Sequence, residues 1–179
     1  TDAEVALAIR RILLIHNIIL SIGGIPLIYL GDEIGTLNDY RYRQDPAKVG
    51  DSRWVHRPVI DLQRYEKRQD AQTIPGQIFQ GLQHLIRLRK NTKAIGGSSP
   101  EFVRSGNPHV FGYIRRKEED HILFLNNFSD HPQPVAGNTL RLYGLGYQFI
   151  DLITGQNYSL ESDLVLAPYQ YVWLKVIPS

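Results

Sequence analysis

The feature that most constrains the fold is one short run of apolar residues, Ile25–Leu30, between Gly23-Gly24 and Gly31-Asp32-Glu33. Apolar character without alternation is typical of a parallel strand that is covered on both faces. Pro26 would then lie at the start of the strand or at an edge, because proline has no N–H for the ladder. A single parallel strand cannot form a sheet by itself. The run therefore predicts that the first part of the chain belongs to a larger α/β fold.

Two helical patterns flank this predicted strand. Thr1 and Glu4 fit a capping box, and the apolar residues from Val5 to Leu20 cover more than one helical face, which is typical of a helix buried on several sides. A second amphipathic pattern runs over Gly76–Asn91 and has cations in its last turn. We expect the first helix and Ile25–Leu30 to leave apolar surface uncovered in the isolated chain. Self-association through that surface is therefore expected.

The sequence between the two patterns, Ile34–Pro75, is polar, irregular and rich in Arg, Asp and Tyr. A connection of this length is uncommon in a compact domain and usually has a function.

From Gly96 onward the sequence changes to short β-like runs separated by turn residues. The runs are Glu101–Arg104, His109–Arg116, His121–Phe128, Gln133–Ala136, Tyr147–Leu152, Leu164–Leu166 and Tyr169–Val176. They predict an antiparallel β-sandwich that folds autonomously from about residue 98 to residue 177. The predicted domains are therefore residues 1–97, the end of an α/β barrel with a long loop, and residues 98–179, the sandwich.

Composition excludes several classes of function. The chain has 179 residues, with 20 Lys and Arg against 18 Asp and Glu, which is too balanced to indicate a nucleic-acid or anionic-membrane partner. Cysteine is absent, so disulfides and thiol chemistry are excluded. The six histidines show no metal-ligand spacing, and we expect neither a metal nor another cofactor. The first helix contains Arg10, Arg11 and His16 and is a poor membrane-spanning candidate.

The residues around the predicted strand carry a family resemblance. Gly24, Pro26, Tyr29, Gly31 and Glu33 together resemble the strand-eight motif of the α-amylase superfamily, glycoside hydrolase family 13, written G-x-P-x-x-Y-x-G-x-E. Within that family, three further segments look like the amylosucrase branch: Gly31–Asp39, Asp51–Pro58 and Gly76–Leu82.

The resemblance implies a mixed fold, in which the last β/α unit of a TIM-type (β/α)8 barrel precedes the sandwich. It also implies a retaining parent enzyme that takes a glucosyl unit from sucrose, releases fructose and extends an α-1,4-glucan. The family's nucleophile and acid/base come from earlier barrel strands, upstream of Thr1. No catalytic residue is therefore assigned here, and the isolated chain is expected to be inactive. A bacterial protein, cytoplasmic or secreted, is implied.

Two other functions stay open. The parent could be a sucrose hydrolase or another family-13 enzyme, such as a trehalulose-type isomerase. Alternatively, the chain could be an independent carbohydrate-binding or interaction module, which would need a complete fold within these residues.

One residue is singled out for substrate binding. The resemblance implies that Arg53 pairs with an upstream aspartate at the bottom of the glucosyl pocket, a task that suits the planar fork of arginine. Other side chains, in the long connection and just before it, could line the rim of the active site or a channel for the glucan acceptor. Alternatively, they are simply solvated. These are Asp32, Glu33, Asp39, Tyr40, Arg41, Asp51 and Trp54.

For two of these candidates, and for one tryptophan later in the chain, a purely structural role is the alternative to a functional one. Asp32 and Glu33 are adjacent and would point to opposite faces of a strand, so a structural role, with Glu33 bonded to backbone or to an arginine near the rim, is favoured over an acid/base pair. Trp173 could stack on a sugar ring, although packing against the barrel is the more ordinary role.

Overall fold

The computed structural model describes residues 1–97 and 99–177. Four α-helices occur in this part of the chain: α1 (Asp2–Ser21), α2 (Leu62–Glu66), α3 (Ile74–Asn91) and α4 (Gly137–Arg141). The strands are β1 (Glu101–Val103), β2 (Val110–Lys117), β3 (Asp120–Asn127), β4 (Gln133–Val135), β5 (Gln148–Asp151), β6 (Asn157–Ser159), β7 (Leu164–Leu166) and β8 (Tyr171–Val176). Five short 3₁₀-helices complete the described elements: Asp32–Ile34, Tyr40–Gln44, Ser52–His56, Lys67–Gln69 and Lys93–Gly96.

The chain folds as two compact units. The first combines residues 1–27 with everything described from Leu82 onward, and the second is Ile28–Gly81. The first unit therefore includes α1, so the sandwich and this helix pack as one body. The predicted domain boundary between residues 97 and 98 stays a prediction, and Ser98 itself lies outside the described residues.

The predicted antiparallel domain is confirmed. Six strands form one sheet in the order β1-β2-β3-β8-β5-β6, and β4 pairs with β7 in a second, two-stranded sheet. Every pairing in both sheets is antiparallel. Each of the seven predicted runs contains one of these strands to within a few residues, whereas β6 and α4 were not predicted.

The central strands of the large sheet are buried on both faces. Leu123 and Leu174 point into one apolar core, which also contains Val135 and Leu166 from the small sheet. Ile122, Phe124 and Trp173 alternate with them and point into a second core on the opposite face. Period-two alternation thus places the sheet between two apolar layers.

Helices cover the second face of the sheet. Leu20 of α1, Leu85 of α3 and Ile95 of the following 3₁₀-helix lie in the same core as Trp173. Tyr113 stacks on Phe124 with ring centroids 4.9 Å apart, and Phe124 meets Trp173 edge-on at 5.2 Å. Helices outside residues 99–177 therefore cover this aromatic face, and autonomous folding of the predicted sandwich stays a prediction.

A buried chain of polar side chains ties α1 to the sheet. The indole Nε1–H of Trp173 donates to Asn17 Oδ1 at 2.5 Å, and Asn17 Nδ2 donates to Asn126 Oδ1 at 2.6 Å. Asn126 in turn donates to the carbonyl of Phe111 at 3.1 Å. One turn later, Ser21 lies 2.5 Å from the hydroxyl of Tyr113. Each of these buried polar groups finds its partner across the helix–sheet contact.

Two arginines satisfy the carbonyl end of α1, whose own last turn contains no basic residue. Arg89 of α3 donates to the carbonyls of Leu20, at 2.5 Å, and Gly24, at 2.8 Å. Arg115 of β2 is buried and donates to the carbonyls of Ile22 and Ile95. Cations suit the negative end of the helix dipole. Gly23 permits the close approach, since a Cβ there would lie 2.7 Å from Arg115 Nη1.

The strand predicted over Ile25–Leu30 is not formed. The structure assigns no strand to these residues, and Ile25 and Leu27 are 97% and 79% exposed. A parallel strand needs a partner on at least one side, and no strand in the described part of the chain pairs with this segment. Val5 and Ile15 of helix α1 are exposed as well, so α1 and Ile25–Leu30 both leave apolar surface uncovered, as expected.

Replacing Asn17 by alanine tests the helix–sheet link. The variant leaves the Trp173 indole N–H and the Asn126 amide oxygen without their partner, and each buried orphan group costs about 1–3 kcal/mol. We expect the free energy of unfolding, measured by urea denaturation, to fall by about 2–4 kcal/mol. Asn91→Ala at the exposed end of α3 is the matched control and should change it by less than about 0.5 kcal/mol. Equal effects of the two variants would contradict the proposed role of Asn17.

Candidate functional site

The candidate residues lie in the second unit, Ile28–Gly81, which is built from short helical turns. Two of its 3₁₀-helices, Tyr40–Gln44 and Ser52–His56, begin in the same way. Each is preceded by an aspartate whose side chain accepts the backbone N–H two residues later, and that later residue is an arginine. The repeat Asp-x-Arg is visible in the sequence at Asp39–Arg41 and Asp51–Arg53, but its pairing was not predicted.

Asp39 and Arg41 form a bidentate ion pair. Arg41 donates to the carboxylate of Asp39 from Nε at 2.8 Å and from Nη2 at 2.7 Å, and its backbone N–H donates at 2.9 Å. These hydrogen bonds stabilise the charged carboxylate and lower the pKa of Asp39 to about 2.

Asp51 and Arg53 repeat this geometry. Arg53 Nε and Nη2 each lie 2.9 Å from an oxygen of Asp51, and the Arg53 N–H donates to the same carboxylate at 3.0 Å. The hydrogen bonds from Arg53 hold the pKa of Asp51 below its usual value. The side chain of Arg53 is 74% exposed, so most of the guanidinium remains accessible.

The two helical turns lie side by side. The backbone N–H of Asp39 donates to the carbonyl of Val55 at 2.9 Å, which joins the start of the first turn to the second turn. The structure thus brings Asp39, Arg41, Asp51 and Trp54 into one small region.

A cavity of about 350 Å³ opens beside these turns. Its lining consists of Asp39, Arg41, Tyr42, Asp45, Lys48, Trp54, Arg57 and Val59. Two of the three cations of this set contact Trp54, with Lys48 Nζ 5.1 Å and the Arg57 guanidinium 5.9 Å from its ring centroid. Tyr40 instead lies under Arg43, 5.4 Å from the guanidinium.

A second, mostly apolar cavity of about 430 Å³ lies elsewhere in the same unit. Tyr29, Glu33, His56 and Arg57 are among its lining residues, so Arg57 borders both cavities. His56 Nδ1 lies 3.1 Å from Asn38 Oδ1, within hydrogen-bond distance.

Asp32 and Glu33 do not form an acid/base pair. Both lie in a 3₁₀-turn rather than a strand, and Glu33 Oε2 accepts the backbone N–H of Gly31 at 2.7 Å. Of the two partners expected for Glu33, backbone or an arginine near the rim, the structure shows the backbone, and the structural role itself stays a prediction. Gly31 has a φ of +101° and holds the turn in a conformation that favours glycine.

Trp173 is not a sugar platform. The side chain is fully buried between α1 and the sheet, and its indole N–H is used by Asn17. The structure therefore shows the structural role, in which Trp173 packs against helices of the first half of the chain.

Within residues 1–97 and 99–177, no group of three or more His, Cys, Asp and Glu side chains is arranged to hold a metal ion. In the same residues, no helix combines the length and apolar character that crossing a membrane would require.

Comparison with known proteins finds similarity for the β domain. Residues 100–173 match the sequence model described as Maltogenic Amylase, C-terminal domain. The structure of AmyP in complex with maltose superposes with a TM-score of 0.71 at 17% identity, over 94% of this chain and 34% of that one. Over residues 100–173 the chain is therefore similar to the C-terminal domain of maltogenic amylases, and its fold is similar to that of AmyP.

Curated bacterial proteins resemble this chain along most of its length. Glucosylglycerate phosphorylase of Escherichia coli (strain K12) is 28% identical over 167 residues, covering 92% of this chain. Trehalose synthase of Pimelobacter sp. (strain R48) is 28% identical over 194 residues, covering 93%. The chain spans 28% and 34% of their respective lengths. Neither of these two relatives is named as an amylosucrase.

Titration of Asp39 tests the geometry of the twin ion pairs. We expect its carboxyl to titrate at a pKa of about 2 and Arg41→Ala to raise that pKa toward the ordinary value of about 3.9. Because the folded-state pKa is lowered, the pair stabilises the fold above the ordinary pKa and loses its effect as the pH falls through about 2. Carbon-detected NMR of the carboxyl groups is the measurement.

Arg53→Ala is the matched control for that titration, since it should raise the pKa of Asp51 and leave that of Asp39 unchanged. An Asp39 pKa that does not respond to Arg41→Ala would contradict the observed pairing.

Proposed function

We propose that this chain is the C-terminal part of an amylosucrase-like glucosyltransferase. In this proposal the parent transfers glucosyl units from sucrose to an α-1,4-glucan by a retaining mechanism, and the nucleophile and acid/base lie outside the 179 residues. The chain then contributes binding groups from its second unit and is inactive on its own.

The state of Arg53 is the observation that carries the proposal. The three side-chain hydrogen bonds to Asp51 come from Nε and Nη2, and Nη1 has no hydrogen-bond partner among residues 1–97 and 99–177. The guanidinium is thus oriented by one carboxylate and exposed toward solvent, with donors left for a second carboxylate. An arginine that is held in this way is suited to closing the end of a sugar pocket by pairing with an aspartate elsewhere in the parent.

The proposal assigns a role to each of the other candidate residues. Asp51 orients Arg53, and Asp39 and Arg41 repeat the same device one turn away. Trp54 and Tyr40 provide aromatic faces for sugar rings along an acceptor channel. Asp32 would lie at the rim, and Glu33 maintains the turn that carries it.

A second candidate function has support from the curated relatives. Glucosylglycerate phosphorylase is named for a small glucoside and for phosphate as acceptor. The parent could therefore use a small glucoside other than sucrose and transfer glucose to phosphate. The same family fold would serve both reactions, because the fold alone does not set the donor.

Kinetics of full-length parent variants test the role of Arg53. Arg53→Ala would leave a pocket carboxylate unpaired, and losing one partner of a buried charge pair costs about 3–5 kcal/mol. Each ~1.4 kcal/mol on the transition state is tenfold in rate. We therefore expect kcat/KM on sucrose to fall about 100-fold or more, with partial recovery in Arg53→Lys.

Arg87→Ala on the exposed side of α3 is the control and should keep normal kinetics. Thermal melts of all variants exclude misfolding. Near-normal efficiency of Arg53→Ala on sucrose would overturn the role of Arg53. Release of glucose 1-phosphate from glucosylglycerate and phosphate, with no fructose from sucrose, would replace the sucrose proposal by the second candidate.

The exposed segment at Ile25 and Leu27 supports a further part of the proposal, self-association of the isolated chain. Large apolar side chains exposed side by side favour association. Sedimentation velocity of the 179-residue chain should show a concentration-dependent oligomer, and Ile25→Asp combined with Leu27→Asp should shift it to monomer. Leu142→Asp, at an equally exposed leucine elsewhere in the first unit, should leave the oligomer intact. A wild-type monomer at high concentration would refute self-association.

A further inference from the structure

The cavity beside the two helical turns has an excess of positive charge. Its three cations are Arg41, Lys48 and Arg57, and its two carboxylates are Asp39 and Asp45. The contacts described above do not balance this excess charge.

Both carboxylates of the cavity are already bound. Asp39 accepts three hydrogen bonds from Arg41. Asp45 accepts the N–H of Ala47 at 3.0 Å and lies 3.2 Å from Lys48 Nζ. The pKa of each is lowered by these partners, so both carboxylates stay charged and paired. Arg41 and Lys48 are thus paired with carboxylates, which leaves one of the three cations without an ion pair.

Arg57 is that remaining cation. Among residues 1–97 and 99–177 no carboxylate lies within ion-pair distance of its guanidinium. Its charge contributes weakly to lowering the pKa of Asp51, which Arg53 already binds. The contact recorded for its guanidinium is the ring of Trp54, and Lys48 lies over that same ring. Two like charges on one indole repel each other, and an anion placed between them would remove that repulsion.

We propose that this cavity binds a small oxyanion through the guanidinium of Arg57, with Lys48 and the ring of Trp54 completing the site. An arginine fork matches the two oxygens of a phosphate or carboxylate, whereas a lysine adds a point charge. The cavity, at about 350 Å³, has room for such a group and for a small organic part lying on the indole. This site is separate from the carboxylate partner proposed for Arg53 and does not depend on the sucrose proposal.

Tryptophan fluorescence and calorimetry on the 179-residue chain test the site. The chain has two tryptophans, and Trp173 is buried in the first unit, so a change in emission on adding inorganic phosphate would come from Trp54. We expect saturable binding with a Kd of about 1 mM at constant ionic strength, and Arg57→Gln should weaken it about tenfold or more. Arg57→Lys should lie between the two, and Arg87→Ala should bind as the wild type does.

Two probes distinguish the source of the anion. Saturable binding of inorganic phosphate alone points to a phosphate ligand, and saturable binding of glycolate points to a carboxylate on a small hydroxy acid; either result, if lost in Arg57→Gln, supports the site. Trp54→Phe should remove the fluorescence change while calorimetry still detects binding. Absence of saturable binding for both probes, or equal binding by Arg57→Gln with unchanged circular dichroism, would overturn the proposal.

Discussion

The first unit depends on one hydrogen-bonded contact, the indole of Trp173 on the side-chain amide of Asn17. Trp173 lies at the centre of the six-stranded sheet, and Asn17 lies on the buried face of α1. A buried tryptophan needs an acceptor for its N–H, and a buried asparagine needs partners at both ends of its amide. The Asn17 oxygen accepts the indole N–H of Trp173, and the Asn17 amide nitrogen donates to Asn126. This directional link sets the register of the helix on the sheet, which apolar contacts alone fix less sharply.

The rest of the helix–sheet interface follows from that register. With Asn17 over Trp173, the end of α1 lies where Arg89 and Arg115 reach its last carbonyls, and Ser21 meets Tyr113. The sheet is then covered on one face by helices and on the other by the small sheet of β4 and β7. The second unit, by contrast, has no sheet among its described elements and is held by Asp-capped turns and by Arg64 on the carbonyls of Ile34 and Gly35. Polar local contacts of this kind suit a loop that presents exposed side chains.

Sequence patterns predicted the antiparallel domain well because period-two alternation and turn residues are local signals. They predicted α3 and the capping box at Thr1 for the same reason. They failed at Ile25–Leu30, because strand formation depends on a pairing partner that the apolar run itself does not specify. They did not predict that α1 and α3 pack on Trp173, because the alternation of apolar residues indicates that a strand has two faces but not which element packs on each. In the candidate site, Arg53 and the loop carboxylates were singled out, but the twin Asp-x-Arg pairs and the uncompensated Arg57 became visible only with side-chain distances.

Hydrogen exchange of the Trp173 indole N–H tests most directly whether α1 and the sheet form one cooperative body. If Asn17 holds that proton inside a continuous core, it should exchange only through global unfolding, at the free energy obtained from urea denaturation and in step with the slowest amides of β3. Exchange of the Trp173 indole proton far faster than those amides would show that α1 leaves the sheet on its own, and would contradict the account.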